Sequence, residues 1–214
     1  MIDQFEKHIY NEFPFLKNSK LLVCVSGGVD SMVLSNLLLQ LEYKIGIAHC
    51  NFNLRGSESD LDEEFVREYA KNKSIVFHFK SFKTKLAKHS TQMAARTLRY
   101  DWFNYLLHSK EYDYILTAHH LDDSLETFIL NLSRASGIEG LLGIKPINNN
   151  LIRPLLIFSK ENLNKLEAAY GKPYRIALEN ILKRMKSGRN RSFGGDALTS
   201  RFTDWISNSI GTIM

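Results

Sequence analysis

The sequence predicts an α/β fold, a doubly wound parallel sheet with helices on both faces, in a single domain. Three observations carry that reading. Short apolar runs alternate with apolar-periodic stretches along the chain, the pattern of strands joined by right-handed crossover helices. The first run, residues 21–25 (LLVCV), breaks into Ser26, Gly27 and Gly28 and then passes into a helical pattern. The suggestive polar clusters, at 26–31, 49–51 and 117–127, each follow an apolar run, and open α/β sheets bind ligands outside the carboxyl ends of their strands.

The elements follow in order. After the first strand, residues 31–42 predict a helix and 44–49 (KIGIAH) a second strand. Residues 60–73 predict a helix, with Ser57 and Ser59 before it as capping residues. A third strand is expected at 75–79 (IVFHF), a long helix at 91–107, a fourth strand at 114–117 and a helix at 122–132. Residues 151–156 predict a fifth strand, and Ser159 opens a last helix that runs to Tyr170. Glycines over 137–143 and the asparagines at 148–150 mark the main flexible stretches.

Size and composition suit an enzyme of the cytoplasm. The chain has 214 residues, 44% of them hydrophobic, enough for a substantial core. No apolar run approaches the ~18 residues of a membrane span, and the first ten residues, MIDQFEKHIY, lack a signal-peptide pattern. Two cysteines, Cys24 within the first strand and Cys50 at the end of the second, make no disulfide framework, and Cys24 reads as a small core residue. The sequence pI is about 9.1. Residues 1–170 nevertheless balance 20 basic against 20 acidic groups, and the excess sits in the last 44 residues, with 8 basic and 3 acidic. Overall charge is therefore no argument for nucleic-acid binding by the first 170 residues.

The turn at Ser26, Gly27, Gly28, Val29, Asp30 and Ser31 has the makings of a phosphate cradle. Backbone N–H groups of a glycine turn and of a helix's first turn converge on one point, where the helix dipole also favours an anion. The Walker form of such a loop has a lysine immediately before its hydroxyl residue. Here that place holds Asp30, so a lysine reaching for a β or γ phosphate is missing from the loop. An ordinary βα turn with a serine cap is the plainer alternative.

A second cluster, TAHHLDDSLET over 117–127, puts His119, His120, Asp122, Asp123 and Glu126 at a strand end and the first turn of the next helix. Acidic residues there also serve as plain capping groups. Facing a phosphate loop, they suit Mg²⁺, which takes one or two carboxylates plus phosphate oxygens; Asp123 with Asp122 or Asp30 would supply them. Zinc fits poorly, because two adjacent histidines without a cysteine pair make no tetrahedral set. Arg96 and Arg99 share a helix face, as suits a common anion or a carboxylate pair, with a solvated basic edge as the plainer alternative; Arg55 and Arg134 stand beside glycines in loops, where a guanidinium suits phosphate contact.

Taken together, SGGVDSM, AHCNFNLRGSESDLDEEFV, AARTLRYDWF, TAHHLDDSLET, LSRASGIEGLLGI and IRPLL resemble tRNA(Ile)-lysidine synthetases of the PP-loop ATP pyrophosphatase superfamily, over about residues 20–174. The resemblance implies a PP-loop, adenine nucleotide alpha hydrolase-like fold and a carbon–nitrogen ligase. ATP adenylates the C2 oxygen of the wobble cytidine in an isoleucine tRNA with a CAU anticodon, releasing pyrophosphate. The amine of free L-lysine then displaces AMP and leaves lysidine. It also implies roles. Ser26 to Ser31 would hold pyrophosphate, with Asp30 helping the metal. Asp122 and Asp123 would bind Mg²⁺, or Asp123 the amine of lysine. His120 and Glu126 would orient neighbours, and Arg55, Arg96 and Arg134 would meet phosphates of ATP or tRNA. Relatives are often homodimers. One departure is Phe52, where many relatives carry a second histidine, so no role of that histidine transfers here.

Past Arg175 the match stops. The expectation is a catalytic domain over 1–174 and a divergent basic tail over 175–214, read out of frame, with the family's C-terminal tRNA-binding domains absent and lysidine formation impaired. Alternatives are another PP-loop ATPase, such as a tRNA thiolase or an amide-forming synthetase, and a nucleotide-binding module without turnover.

Overall fold

The computed structural model describes residues 2–53, 57–82, 91–134 and 142–170, all within the compact unit Met1–Ala177. Predictions that fall on Arg55, on 137–141 and on the tail after Tyr170 lie outside the described residues.

Six strands form one sheet in the order β3-β2-β1-β4-β6-β5: β1 (Lys20–Cys24), β2 (Lys44–Asn51), β3 (Val76–Ser81), β4 (Tyr114–Leu116), β5 (Ile147–Asn148) and β6 (Leu151–Ile152). All neighbouring pairs are parallel except β5 with β6. The helices are α1 (Ile2–Glu12), α2 (Val29–Gln40), α3 (Ser57–Asn72), α4 (Thr91–Ser109), α5 (Leu121–Ser133) and α6 (Lys160–Tyr170). None of the described helices is long and apolar enough to cross a membrane.

The sequence reasons for these elements are direct. Residues Leu21, Leu22 and Val23 of β1 are fully buried, because a central parallel strand is covered on both faces and needs an unbroken apolar run. On one face, Leu22 and Ala48 join Phe52, Phe82, Trp102, Phe103 and Leu106, so α4 lies over that side. Leu21 and Val23 point the other way by strand alternation. α2 is apolar almost all round, burying Met32, Val33, Leu34, Leu37 and Leu38, because it packs against β1, β2 and α6.

Two predicted elements change shape. The fifth strand, expected over 151–156, stops at Ile152, since Arg153 is followed by Pro154, which has no N–H for a sheet ladder. The asparagine stretch at 148–150, expected to be flexible, is a tight hairpin between β5 and β6, with Asn149 at φ 51 as the left-handed turn residue. An N-terminal amphipathic helix, α1, was not anticipated; its Phe5 and Ile9 are buried, and Phe5 packs against Phe158 at 6.0 Å between ring centroids.

Candidate active site

The sheet order reverses direction at β1, whose neighbours are β2 and β4. At such a switch point the following helices leave to opposite faces and open a crevice at the carboxyl ends of the strands. A cavity of about 250 Å³ lies there, lined by residues from the loop after β1, from β2, from α4 and from the segment after β4.

The loop after β1 is held by its own hydroxyls. Ser31 Oγ accepts the N–H of Ser26 at 3.2 Å and donates to the carbonyl of Gly28 at 2.8 Å, while Ser26 Oγ accepts the N–H of Gly28 at 3.2 Å. Gly27 sits at φ +94, where an L side chain is strained, and a Cβ there would lie 3.2 Å from the side chain of Asp62. Gly28 is the N-cap of α2, so the unpaired N–H groups of Val29, Asp30 and Ser31 open the helix beside the cavity. Ser26, Gly28, Asp30 and Ser31 line the cavity; Gly27 is buried behind them, and Val29 is partly buried.

Opposite the loop, Thr117, Ala118, His119 and Asp123 form a second wall. Asp123 accepts the backbone N–H of His120 at 2.8 Å, closing the first turn of α5. His120 is buried and sits among carboxylates: its Nε2 is 3.7 Å from Asp30 and 3.6 Å from Asp123, and its Nδ1 is 3.6 Å from Asp122. One imidazole thus bridges the two motifs that the sequence set 90 residues apart. His119 hydrogen-bonds Thr117 Oγ1 through Nδ1 at 2.9 Å. Burial, with Arg153 and Arg96 nearby, brings the pKa of His119 down to about 4, so it is an uncharged imidazole at neutral pH.

Helix α4 brings Arg96, Arg99, Tyr100 and Phe103 to the cavity. The Arg96 guanidinium lies over the Tyr100 ring at 5.1 Å and that of Arg99 over Phe52 at 5.3 Å, so both are positioned by aromatic faces. Cys24 and Cys50 also line the cavity while packing against the α4 core, so Cys24 is more than the plain core residue its strand position suggests. Burial pushes the Cys50 thiol up to about 12 and that of Cys24 well above its ordinary value.

Other predicted residues stand apart. Asp122 accepts the backbone N–H of Lys160 at 2.7 Å and is not among the cavity-lining residues; Glu126 is exposed a turn further along α5, and Arg134 is the exposed C-cap of that helix. His49 is buried, with Nδ1 2.8 Å from the carbonyl of Val25, which ties the ends of β2 and β1, and Asn51 donates to Asp60 at 3.1 Å, which ties the end of β2 to α3. The residue that sequence reasoning missed is Lys160, whose Nζ donates to Asp30 at 2.5 Å from the first turn of α6. A signal was there: a lysine in a helix's first turn opposes the helix dipole, a placement that calls for an anionic partner.

A doubly wound sheet with a phosphate-type loop at its switch point defines a nucleotide-binding α/β protein. Residues 1–191 match the family model of the PP-loop domain, and the chain belongs to that ATP-utilising family. Two relatives named tRNA(Ile)-lysidine synthase are similar: that of Bacteroides thetaiotaomicron is 42% identical over 179 residues, covering 82% of this chain and 42% of its own length. That of Chlorobaculum tepidum is 40% identical over 168 residues, covering 75% of this chain and 51% of its own. The chain therefore spans about half the length of these curated relatives or less. Among solved structures, the U34-tRNA thiolase of Methanococcus maripaludis, with its [4Fe-4S] cluster, superposes with a TM-score of 0.64 at 16% identity, covering 87% of this chain and 73% of that one. That likeness is one of fold.

Proposed function

We propose that this chain ligates L-lysine to C2 of the wobble cytidine of an isoleucine tRNA with a CAU anticodon, using ATP. The observation that carries the reading is the meeting of the Ser26–Ser31 loop, the His119–Asp123 segment and Arg96 in one cavity, in a chain about 40% identical to enzymes of that name.

The residues suit two chemical steps. In the first, the C2 oxygen attacks the α-phosphorus of ATP and pyrophosphate leaves; the loop N–H groups and the start of α2 receive the pyrophosphate charge. The carboxylates of Asp30 and Asp123, both within 4 Å of His120 Nε2, suit Mg²⁺. Mg²⁺ is commonly held by one or two carboxylates with phosphate oxygens completing its shell, a donor set to which this pair would supply the carboxylates. Bound there, Mg²⁺ would neutralise charge that develops on the phosphates. In the second step the neutral lysine amine forms the C2–N bond, the C2–O bond breaks, and AMP leaves with the former C2 oxygen. The proton shed by the amine would pass to a carboxylate, a role suited to Asp123, which lines the cavity and is held by the backbone N–H of His120. Arg96, which lines the cavity, suits phosphates of the nucleotide, and the exposed Arg134 suits those of the tRNA.

The test is AMP formation by the 214-residue chain with ATP, Mg²⁺, L-lysine and the CAU tRNA transcript, together with mass analysis of the digested tRNA. AMP that depends on both lysine and tRNA, with lysidine recovered, is the expected result. AMP that depends on ammonia or a sulfur donor would overturn the reading.

A further inference from the structure

The loop after β1 lacks the lysine that Walker-type loops use for the β and γ phosphates, and Asp30 occupies its place. The fold brings an ammonium back from elsewhere. Lys160 lies 130 positions further along the chain, and its Nζ meets Asp30 Oδ1 at 2.5 Å in the first turn of α2.

Its position is fixed from three directions. The backbone N–H of Lys160 is held by Asp122 at 2.7 Å, and the N–H of Leu121 donates to the carbonyl of Phe158 at 2.9 Å, so the starts of α5 and α6 are laced together. Ser159 and Asn162 cap α6 reciprocally: Ser159 N–H donates to Asn162 Oδ1 at 3.2 Å, and Asn162 N–H donates to Ser159 Oγ at 3.2 Å. Helix α6 packs against α2 itself. The backbone is thus anchored, whereas the side chain remains 40% exposed and free to swing about its four-carbon stem. An ammonium at the start of its own helix gains nothing from that dipole, and its present partner is one of the two carboxylates suited to a divalent cation.

We propose that Lys160 is the phosphate-binding lysine of this site, contacting the β and γ phosphates of the bound nucleotide and resting on Asp30 when they are absent. This rests on the reading of the cavity as an ATP site. When Asp30 gives its carboxylate to a divalent cation, Lys160 loses its partner and turns to the phosphate oxygens next to the loop. The α-phosphate and the adenosine lie outside its role.

The experiment compares binding of α,β-methylene ATP, which cannot be split between the α and β phosphates, with binding of AMP, by calorimetry in Mg²⁺. Wild-type chain, Lys160→Met and Lys160→Arg are measured, each with its thermal midpoint. Lys160→Met should weaken the triphosphate analogue by about tenfold or more while leaving AMP affinity within about twofold, and Lys160→Arg should recover much of the loss. Equal affinity of wild type and Lys160→Met for the analogue would overturn the proposal while leaving the ATP site standing. Parallel loss of AMP and analogue affinity would reduce Lys160 to a structural residue and overturn it as well. Failure of the wild-type chain to bind the analogue would overturn both readings. Lysine-independent AMP formation would sink only the lysidine reading.

Discussion

The carboxylate of Asp122 accepts the backbone N–H of Lys160 at 2.7 Å, joining the first turn of α5 to the first turn of α6 across 38 residues. An acidic side chain that would serve as an ordinary cap of its own helix instead caps a different one. Asp122→Ala should therefore cost about 1 kcal/mol of stability, the usual worth of an N-terminal cap. The check is a lower urea midpoint at unchanged m-value. An unmoved midpoint would mean that Ser159 and Asn162 alone hold the start of α6.

Gly27 stands at φ +94 with Asp62 close against the place of a Cβ. Gly27→Ala should destabilise the chain by roughly 1–2 kcal/mol through backbone strain alone. The strain also turns N–H groups away from the cavity, so nucleotide affinity should fall at least tenfold in equilibrium binding. Unchanged affinity would remove the loop from the phosphate site.

Burial holds the His119 pKa at about 4, against an ordinary value of 6.5. Between those values the unfolded chain takes up a proton that the folded chain refuses. The contribution to stability is thus complete above about pH 6.5 and is lost as the pH falls towards 4. His49 is shifted in the same direction, also by burial. Thermal midpoints should drop between pH 7 and pH 5, and His119→Asn should flatten the fall; an equally steep fall in the variant would place the titration elsewhere.

With the Cys50 thiol pushed up to about 12 and Cys24 higher than usual, almost no thiolate exists at pH 8. Iodoacetamide should label the folded chain far more slowly than the chain in urea, by a factor of about a hundred or more. Rapid labelling of either cysteine in the native state would instead favour sulfur-transfer chemistry.

How much of this was legible in the sequence divides along the range of the interactions. Four strands and the helices between them follow from period and composition, and the convergence of Ser26–Ser31 with Thr117–Thr127 followed from the strand-end rule. Helix ends were harder, because α2, α3 and α4 close through left-handed residues that are not glycine: Glu42 at φ 58, Ser74 at φ 55 and Glu111 at φ 54. At each, the next residue's N–H returns to a carbonyl five positions earlier, as with Tyr43 to Leu38 at 3.0 Å, and this backbone pattern leaves no compositional mark. Gly46 has a reason invisible in one dimension, since a Cβ there would collide with the buried Tyr112 hydroxyl. Lys160 was only half legible: its place in a first turn calls for an anion, but not for which one. Its partner is set by how α6 crosses α2, and no local rule encodes that crossing.

The pairing of β1 with β4 has a consequence for the chain as it is made. Cys24 at the end of one strand and Tyr114 at the start of the other are separated by about 90 residues. At synthesis rates of roughly 5–20 residues per second, the phosphate loop emerges about 5–18 seconds before the strand that leads into its histidines and acids. Lys160 follows only after a further 46 residues beyond the start of that strand. A nascent polypeptide thus carries a complete glycine loop long before the groups that surround it exist, and nucleotide capture by ribosome-bound chains should switch on late and abruptly with length.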